Sequence, residues 1–374
     1  MNKTDRNTCV FFELLKGGLW EKGVSLLPLG EINWDELYSI SKDQTVVGLV
    51  AAGLEHVEDM KILKPMALPF LKGVFAAENR NLAMNSFISE LFSEQQEAKI
   101  ETVLVKGQGI GQCYHRPLWR SAGDVDLLVN ASEYEKTKAF LLAKADSAEI
   151  EFESYKHQGV NIGEWHVELH GTLHSTLLKR LDDGLDKLQE EMFETKSFRE
   201  WNNNGVCVSL PSPDYDCIFV FSHILQHFYK GGIGLRQICD WCRLLYTFKD
   251  EINHQQLQTR LRELGILKEW MVFGQFAIQC LGYPSESMPL YEGSSALKKH
   301  RANLIKKHVM KMGNFGHNLG DDYYEKYPYI VRKVISLWRK GGLILFGIRV
   351  SPMNSLRYFF RFLGEGIVAV AHGR

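Results

Sequence analysis

ETVLVKGQGIGQCYHRPLWRSAGDVDLLV, residues 101–129, reads as a strand, a Gly-rich turn, a short helix, a second turn and a second strand bearing two carboxylates. Thr102–Val105 is β-branched and apolar and stops at Lys106-Gly107, as a buried strand should. Gly107, Gly109 and Gly111 let the backbone pass close to whatever lies above the strand end. In Asp124-Val125-Asp126-Leu127-Leu128-Val129, alternation sends Asp124 and Asp126 to one face and Val125 and Leu127 to the other. Two carboxylates side by side repel, and burying them unpaired is costly. A divalent cation is the common remedy, and hard oxygen ligands suit Mg²⁺ carrying substrate phosphates. A solvated D-x-D at a strand start is the plainer reading. Its place one short helix after a strand–Gly turn favours the metal.

Lys106-Gly107, the run from Arg120 to Asp126 and the Leu127-Leu128-Val129 tail resemble the DNA polymerase β-type nucleotidyltransferase superfamily. Within it they resemble a bacterial family of uncharacterised nucleotidyltransferases in which Lys-Gly replaces the usual Gly-Ser turn. The likeness is specific over residues 101–130 and recurs near 165–170 and 213–246. It implies transfer of an NMP from an NTP to an acceptor hydroxyl or phosphate, with release of pyrophosphate. It also implies two Mg²⁺ ions, with Mn²⁺ as substitute, held by Asp124, Asp126 and a third carboxylate on a later strand. Lys106, Gly107, Gln108 and Gly109 would hold the triphosphate, with Lys106 or Arg120 neutralising developing charge. With Ser replaced, one phosphate-contacting hydroxyl is missing, so triphosphate pose and nucleotide choice stay open. No G-x-x-x-x-G-K-[ST] is present, and the glycines run G-x-G-x-G, so neither a P-loop nor a dinucleotide fingerprint is read here.

Trp165-His166-Val167-Glu168-Leu169-His170 alternates strictly, with the three polar residues on one face. Glu168 matches the superfamily's third carboxylate, and His170 beside it is a metal ligand, an acceptor contact or a strand cap. H-x-E-x-H also resembles part of a zinc site, but the metalloprotease pattern places its histidines four apart on a helix, whereas this segment reads as strand. Between 214 and 248, His223 and His227 lie one turn apart in an apolar helix, followed by Gly231-Gly232-Ile233-Gly234 and a second helix with Arg236 and Asp240. These four residues line a cleft toward the acceptor, or Arg236 and Asp240 form an i, i+4 pair on an outer face. Cys239 and Cys242 have redox spacing without the surrounding βαβ pattern and read as core-packed.

Three segments follow from this pass: a helical lobe over 1–100, a mixed sheet core over 101–212 and a second helical lobe over 213–374, an α+β fold. In the first lobe Phe75–Lys99 is an amphipathic helix with Leu82, Phe87, Ile88, Leu91 and Phe92 on its apolar side. In the core, Ala131–Lys144 is a helix capped by Ser132. Strands follow at Glu149–Tyr155 and Val160–Ile162, and Phe193–Phe198 pairs with Val206–Leu210 across an Asn-Gly turn. The remainder is helical, including Leu297–Met312, Lys326–Arg339 and Pro352–Val370.

Of the 374 residues 45% are hydrophobic, enough for a sizeable core. Net charge is −1 and excludes nothing, but residues 298–374 carry 15 basic and 4 acidic side chains against 29 and 41 in the rest. That asymmetry points to phosphates, nucleic acid included, to an anionic surface, or to packing on the acidic part. Seven cysteines without framework spacing, no signal-like opening and no segment of membrane-spanning length lead to the expectation of a cytoplasmic protein. The rival readings are the same chemistry acting on tRNA or a protein, and a module that senses nucleotide without turnover.

Overall fold

The computed structural model describes residues 3–151, 156–313, 327, 331, 341–343 and 345–371. Its sheet is mixed: β1 (Val103–Val105), β2 (Val125–Leu128), β3 (Ser147–Ala148), β4 (His157–Ile162) and β5 (Trp165–His170) lie in the order β1-β2-β5-β4-β3. β2 runs antiparallel to β1 and parallel to β5, so the chain between β2 and β5 must cross over; it carries α6 (Tyr134–Leu142), β3 and β4. Alternation then divides the sheet. Leu104, Val125, Leu127, Val167 and Leu169 are buried together with Met84, Ile88, Leu91 and Phe92 of α4 (Lys64–Glu97). On the other face Asp126 stands in register with Val105 on one side and Glu168 on the other.

α4 is longer than expected and starts with Pro65 in its first turn, where a missing N–H costs nothing. Leu82, expected on the apolar side, is exposed, because α4 packs on the sheet with the face of Met84, Ile88 and Leu91 inward. The hairpin is β6 (Phe198–Asn203) with β7 (Val206–Pro211), and its two-residue loop puts Asn204 at φ 53° and Gly205 at φ 88°, the backbone such a turn demands. Phe193, assigned to that hairpin from the sequence, belongs instead to α7 (Lys179–Glu194), a helix the sequence reading lacked. Leu181, Leu185, Leu188 and Met192 bury one stripe of α7. Gln189 Nε2 then donates to the carbonyls of Val129 and Gly171, just beyond β2 and β5. α6 begins at Tyr134, not after a Ser132 cap: Asn130 Oδ1 accepts from both Ser132 N and Ser132 Oγ and closes a turn first. Of the strand expected at 149–155, only the adjacent pair 147–148 is strand, and 152–155 lie outside the described residues, as does most of 326–339.

In the first lobe α1 (Lys3–Trp20) crosses α3 (Val47–Glu55) so closely that a Cβ on Gly18 would sit 1.9 Å from the Leu49 carbonyl oxygen, and one on Gly53 1.9 Å from that of Leu14. In the second, α8 (Pro213–Lys230), α9 (Leu235–Thr247) and α11 (Leu267–Leu281) meet at Phe221, Trp241 and Trp270, whose ring centroids lie 4.8–5.1 Å apart. Such aromatic pairs each add about 0.5–1.5 kcal/mol beyond burial. One buried cluster runs from Val10 through Val105, Leu185 and Trp241 to Tyr358, so all three segments share an apolar interior. Cys239 and Cys242 are free thiols inside it. Among the described residues no helix is long and apolar enough to cross a membrane.

Candidate active site

β1 ends at Val105, and Lys106 takes φ 58° and ψ −145°, a region that non-glycine residues occupy at a cost of about 1–3 kcal/mol and mostly at functional sites. The strained turn aims the ammonium back across the sheet, where Lys106 Nζ donates to Asp126 Oδ1 at 2.7 Å. Gly107 follows at φ 40° and opens α5 (Gly107–Gly111). The cavity above these strand ends measures about 470 Å³, within the usual range for small-molecule sites. Lys106, Gly107, Asp124, Asp126, Glu168 and His170 form its sheet wall. α8 and α9 form the facing wall with His223, Gln226, His227, Lys230, Arg236 and Gln237.

The carboxylates crowd one another. Burial first, then the charges of Glu168 and Asp126, raise the Asp124 carboxyl above its ordinary value. His170 Nε2 meets Asp126 Oδ1 at 3.0 Å and Glu168 Oε2 at 3.4 Å. Burial opposes the charged form of both partners, yet hydrogen bonds from His157 and His170 hold Glu168 well below the ordinary carboxylate range, and those to Asp126 and Glu168 raise His170. Lys106 is likewise buried and raised, through Asp126 and Glu168.

The sequence-expected residues divide into two groups. Asp124, Asp126, Glu168, His170, Lys106 and Gly107 converge on one wall, and His223, His227 and Arg236 face them. Gln108 and Gly109 do not line the cavity. The Gln108 amide donates to Asn81 and Asn85 of α4, and Gly109 leaves room for Leu210, which a Cβ would approach to 2.6 Å. They anchor the turn. Asp240 pairs with Arg120, not with Arg236: Arg120 Nε and Nη2 donate to its two oxygens at 2.8 Å each, and Tyr114 Oη donates at 2.8 Å. Buried and doubly bonded, Arg120 has its charge balanced by Asp240, and the pair lies on the cavity lining together. Arg236 instead donates from Nη1 to the carbonyls of Ser121 and Ala122, and so holds the loop that delivers Asp124.

His223 and His227 stack edge-to-face at 4.3 Å, and burial keeps both imidazoles neutral, His227 down to about 4. The sequence reading missed His157, which faces His170 across the β4–β5 pair and comes within 3.4 Å of Glu168. Strand pairing brings it there, and nothing in its local sequence marks it. It also missed Thr172, His174, Thr176 and Lys230, which line the same cavity.

No curated protein and no solved structure matches the chain. A family model described as uncharacterised nucleotidyltransferase does match, over residues 30–282, which take in the whole sheet and both walls of the cavity, and the chain belongs to that family.

Proposed function

We propose that the chain is a cation-dependent enzyme that moves an NMP from an NTP onto an acceptor in this cavity. The observation that carries the reading is the wall itself: Asp126 and Glu168 in register on adjacent strands with Asp124 just before β2, beside a lysine held by a strained turn. A divalent cation suits that donor set. The oxygens are hard, three like charges share one partly buried wall, and both bonds to Asp126 fall on Oδ1. When bound, it would neutralise phosphate charge and acidify an attacking hydroxyl, the service two-cation sites give in phosphoryl transfer.

In the transfer itself an acceptor oxygen attacks the α-phosphorus in line, the bond to the bridging oxygen breaks, and pyrophosphate leaves. Lys106 supplies positive charge at the triphosphate end, and the turn at Gly107 lets the backbone approach it. Arg236 fixes the loop before Asp124 from the opposite lobe. His223, neutral at pH 7, has a ring nitrogen to receive the acceptor's proton. α-³²P-labelled NTPs offered with Mg²⁺ or Mn²⁺ to a panel of small molecules, tRNA and proteins test the proposal. Wild type should label an acceptor that Asp124→Asn/Asp126→Asn does not, and equal labelling by both would overturn it.

A further inference from the structure

Glu168 is ringed by imidazoles. His157 Nε2 and His170 Nε2 each lie 3.4 Å from its Oε2, and His166 Nε2 lies 3.8 Å from its Oε1. The backbone builds this cluster. His157 and His170 are directly opposed in the β4–β5 register, with rings 4.8 Å apart, and Glu168 is two residues before His170 on the same face. One ligand atom from each of His157, Glu168 and His170 can be chosen so that all three lie within 4.8 Å of one another.

We infer that His157, Glu168 and His170 form a binding site for a borderline-soft divalent cation, Zn²⁺ in particular, at the edge of the carboxylate wall. Ligand type sets the class, and the spacing is compatible with it. In a tetrahedral site with bonds of about 2.0–2.1 Å, neighbouring ligand atoms stand about 3.3–3.4 Å apart. Both histidine–glutamate edges measure 3.4 Å, while the three atoms together span up to 4.8 Å. The imidazoles would therefore close on a bound ion, and His170 Nε2 would give up its 3.0 Å contact with Asp126 Oδ1. Two imidazole nitrogens and one carboxylate oxygen suit Zn²⁺ and disfavour Mg²⁺, which takes oxygen ligands. Three protein ligands leave a fourth position, and the three residues line the cavity, so that position opens on the space a substrate would occupy. His166, bonded through Nδ1 to Asn161 Oδ1, lies 3.8 Å from the second oxygen of Glu168 and adds positive charge beside it when protonated. The site shares Glu168 with the cation set proposed above but does not depend on that reading, since it would bind whether or not a nucleotide is transferred.

Metal-stripped protein titrated with Co²⁺ in the absence of nucleotide tests this, followed by visible absorption and calorimetry. One Co²⁺ should bind with the intense absorption of a tetrahedral ion, be displaced by Zn²⁺ and resist Mg²⁺. His157→Gln should weaken Zn²⁺ binding by at least about 100-fold, more than the 10–100-fold typical of a lost outer-shell partner, while Asp124→Asn retains it. A weak octahedral Co²⁺ spectrum on wild type overturns the inference and requires no variant to fold. So does a folded His157→Gln protein that binds Zn²⁺ as tightly as wild type. Loss of label transfer with this signature intact would instead count against the proposed reaction alone.

Discussion

Replacing Asp240 with asparagine keeps its shape and removes its charge, which leaves the buried Arg120 guanidinium without its carboxylate. Arg120 and Asp240 side chains are each 6% exposed, with two bonds of 2.8 Å between them. Stripping one partner from such a pair costs about 3–5 kcal/mol, since the survivor keeps its desolvation penalty without its compensation. Set against a typical net stability of about 5–15 kcal/mol, that is at least about a fifth of what holds a domain folded. The pair also joins the loop before β2 to α9, so the loss should loosen the cavity's two walls from each other. Urea unfolding followed by circular dichroism at pH 7 reads the cost as a lower midpoint at unchanged slope. Arg120→Met/Asp240→Leu, which removes both charges, should recover most of it. If Asp240→Asn falls within about 0.5 kcal/mol of wild type, the buried-strut reasoning is wrong. If Arg120→Lys preserves stability yet abolishes nucleotide binding, Arg120 serves phosphate after all.

Three further outcomes follow from the same geometry. Burial and Lys311, against a hydrogen bond the ring donates to the backbone of Phe228, push the His308 imidazole down to about 4, where an unfolded histidine titrates near 6.5. The unfolded chain therefore holds more protons between those values, and stability should fall as pH drops from about 6.5 toward 4, by at most about 3 kcal/mol; melting of His308→Leu across that range should show a flatter acid side. Gly53→Ala should lose about 1–3 kcal/mol in thermal melting, because contact with the Leu14 carbonyl oxygen outweighs the gain of about 1 kcal/mol in helix propensity. Arg236→Ala should raise the Mg²⁺ concentration needed for half-maximal label transfer, since Ser121 and Ala122 lose their donor and Asp124 its placement; an unchanged Mg²⁺ requirement would reduce Arg236 to packing.

The sheet and its polar wall were legible because both rest on period-two alternation over short segments. Asp124-Val125-Asp126 and His166–His170 each state which side chains share a face. What no local pattern states is which strands become neighbours. Glu168 sits beside Asp126 through a parallel pairing across more than forty residues, and His157 reaches Glu168 only because β4 folds back on β5. The same limit hid the Arg120–Asp240 pair: the i, i+4 spacing of Arg236 and Asp240 offered a local partner, while the structure found a better one 120 residues away. α7 was missed for a different reason. Its stripe of Leu181, Leu185, Leu188 and Met192 has regular helical spacing, but Asp182-Asp183-Gly184 near its start reads locally as a turn, and Asp182 is buried there accepting from the backbone of Ser175 and Thr176.

The claim at the centre is that the carboxylate wall holds a triphosphate through a divalent cation, and equilibrium binding reaches it without knowledge of the acceptor. A non-hydrolysable NTP analogue titrated into the protein by calorimetry, with Mg²⁺ and then with EDTA, makes the comparison. Binding should require the cation and should fall at least about 100-fold, roughly 2.7 kcal/mol, in Asp124→Asn/Asp126→Asn at unchanged melting temperature. Tight binding in EDTA, or equal affinity in the double variant, would contradict the account.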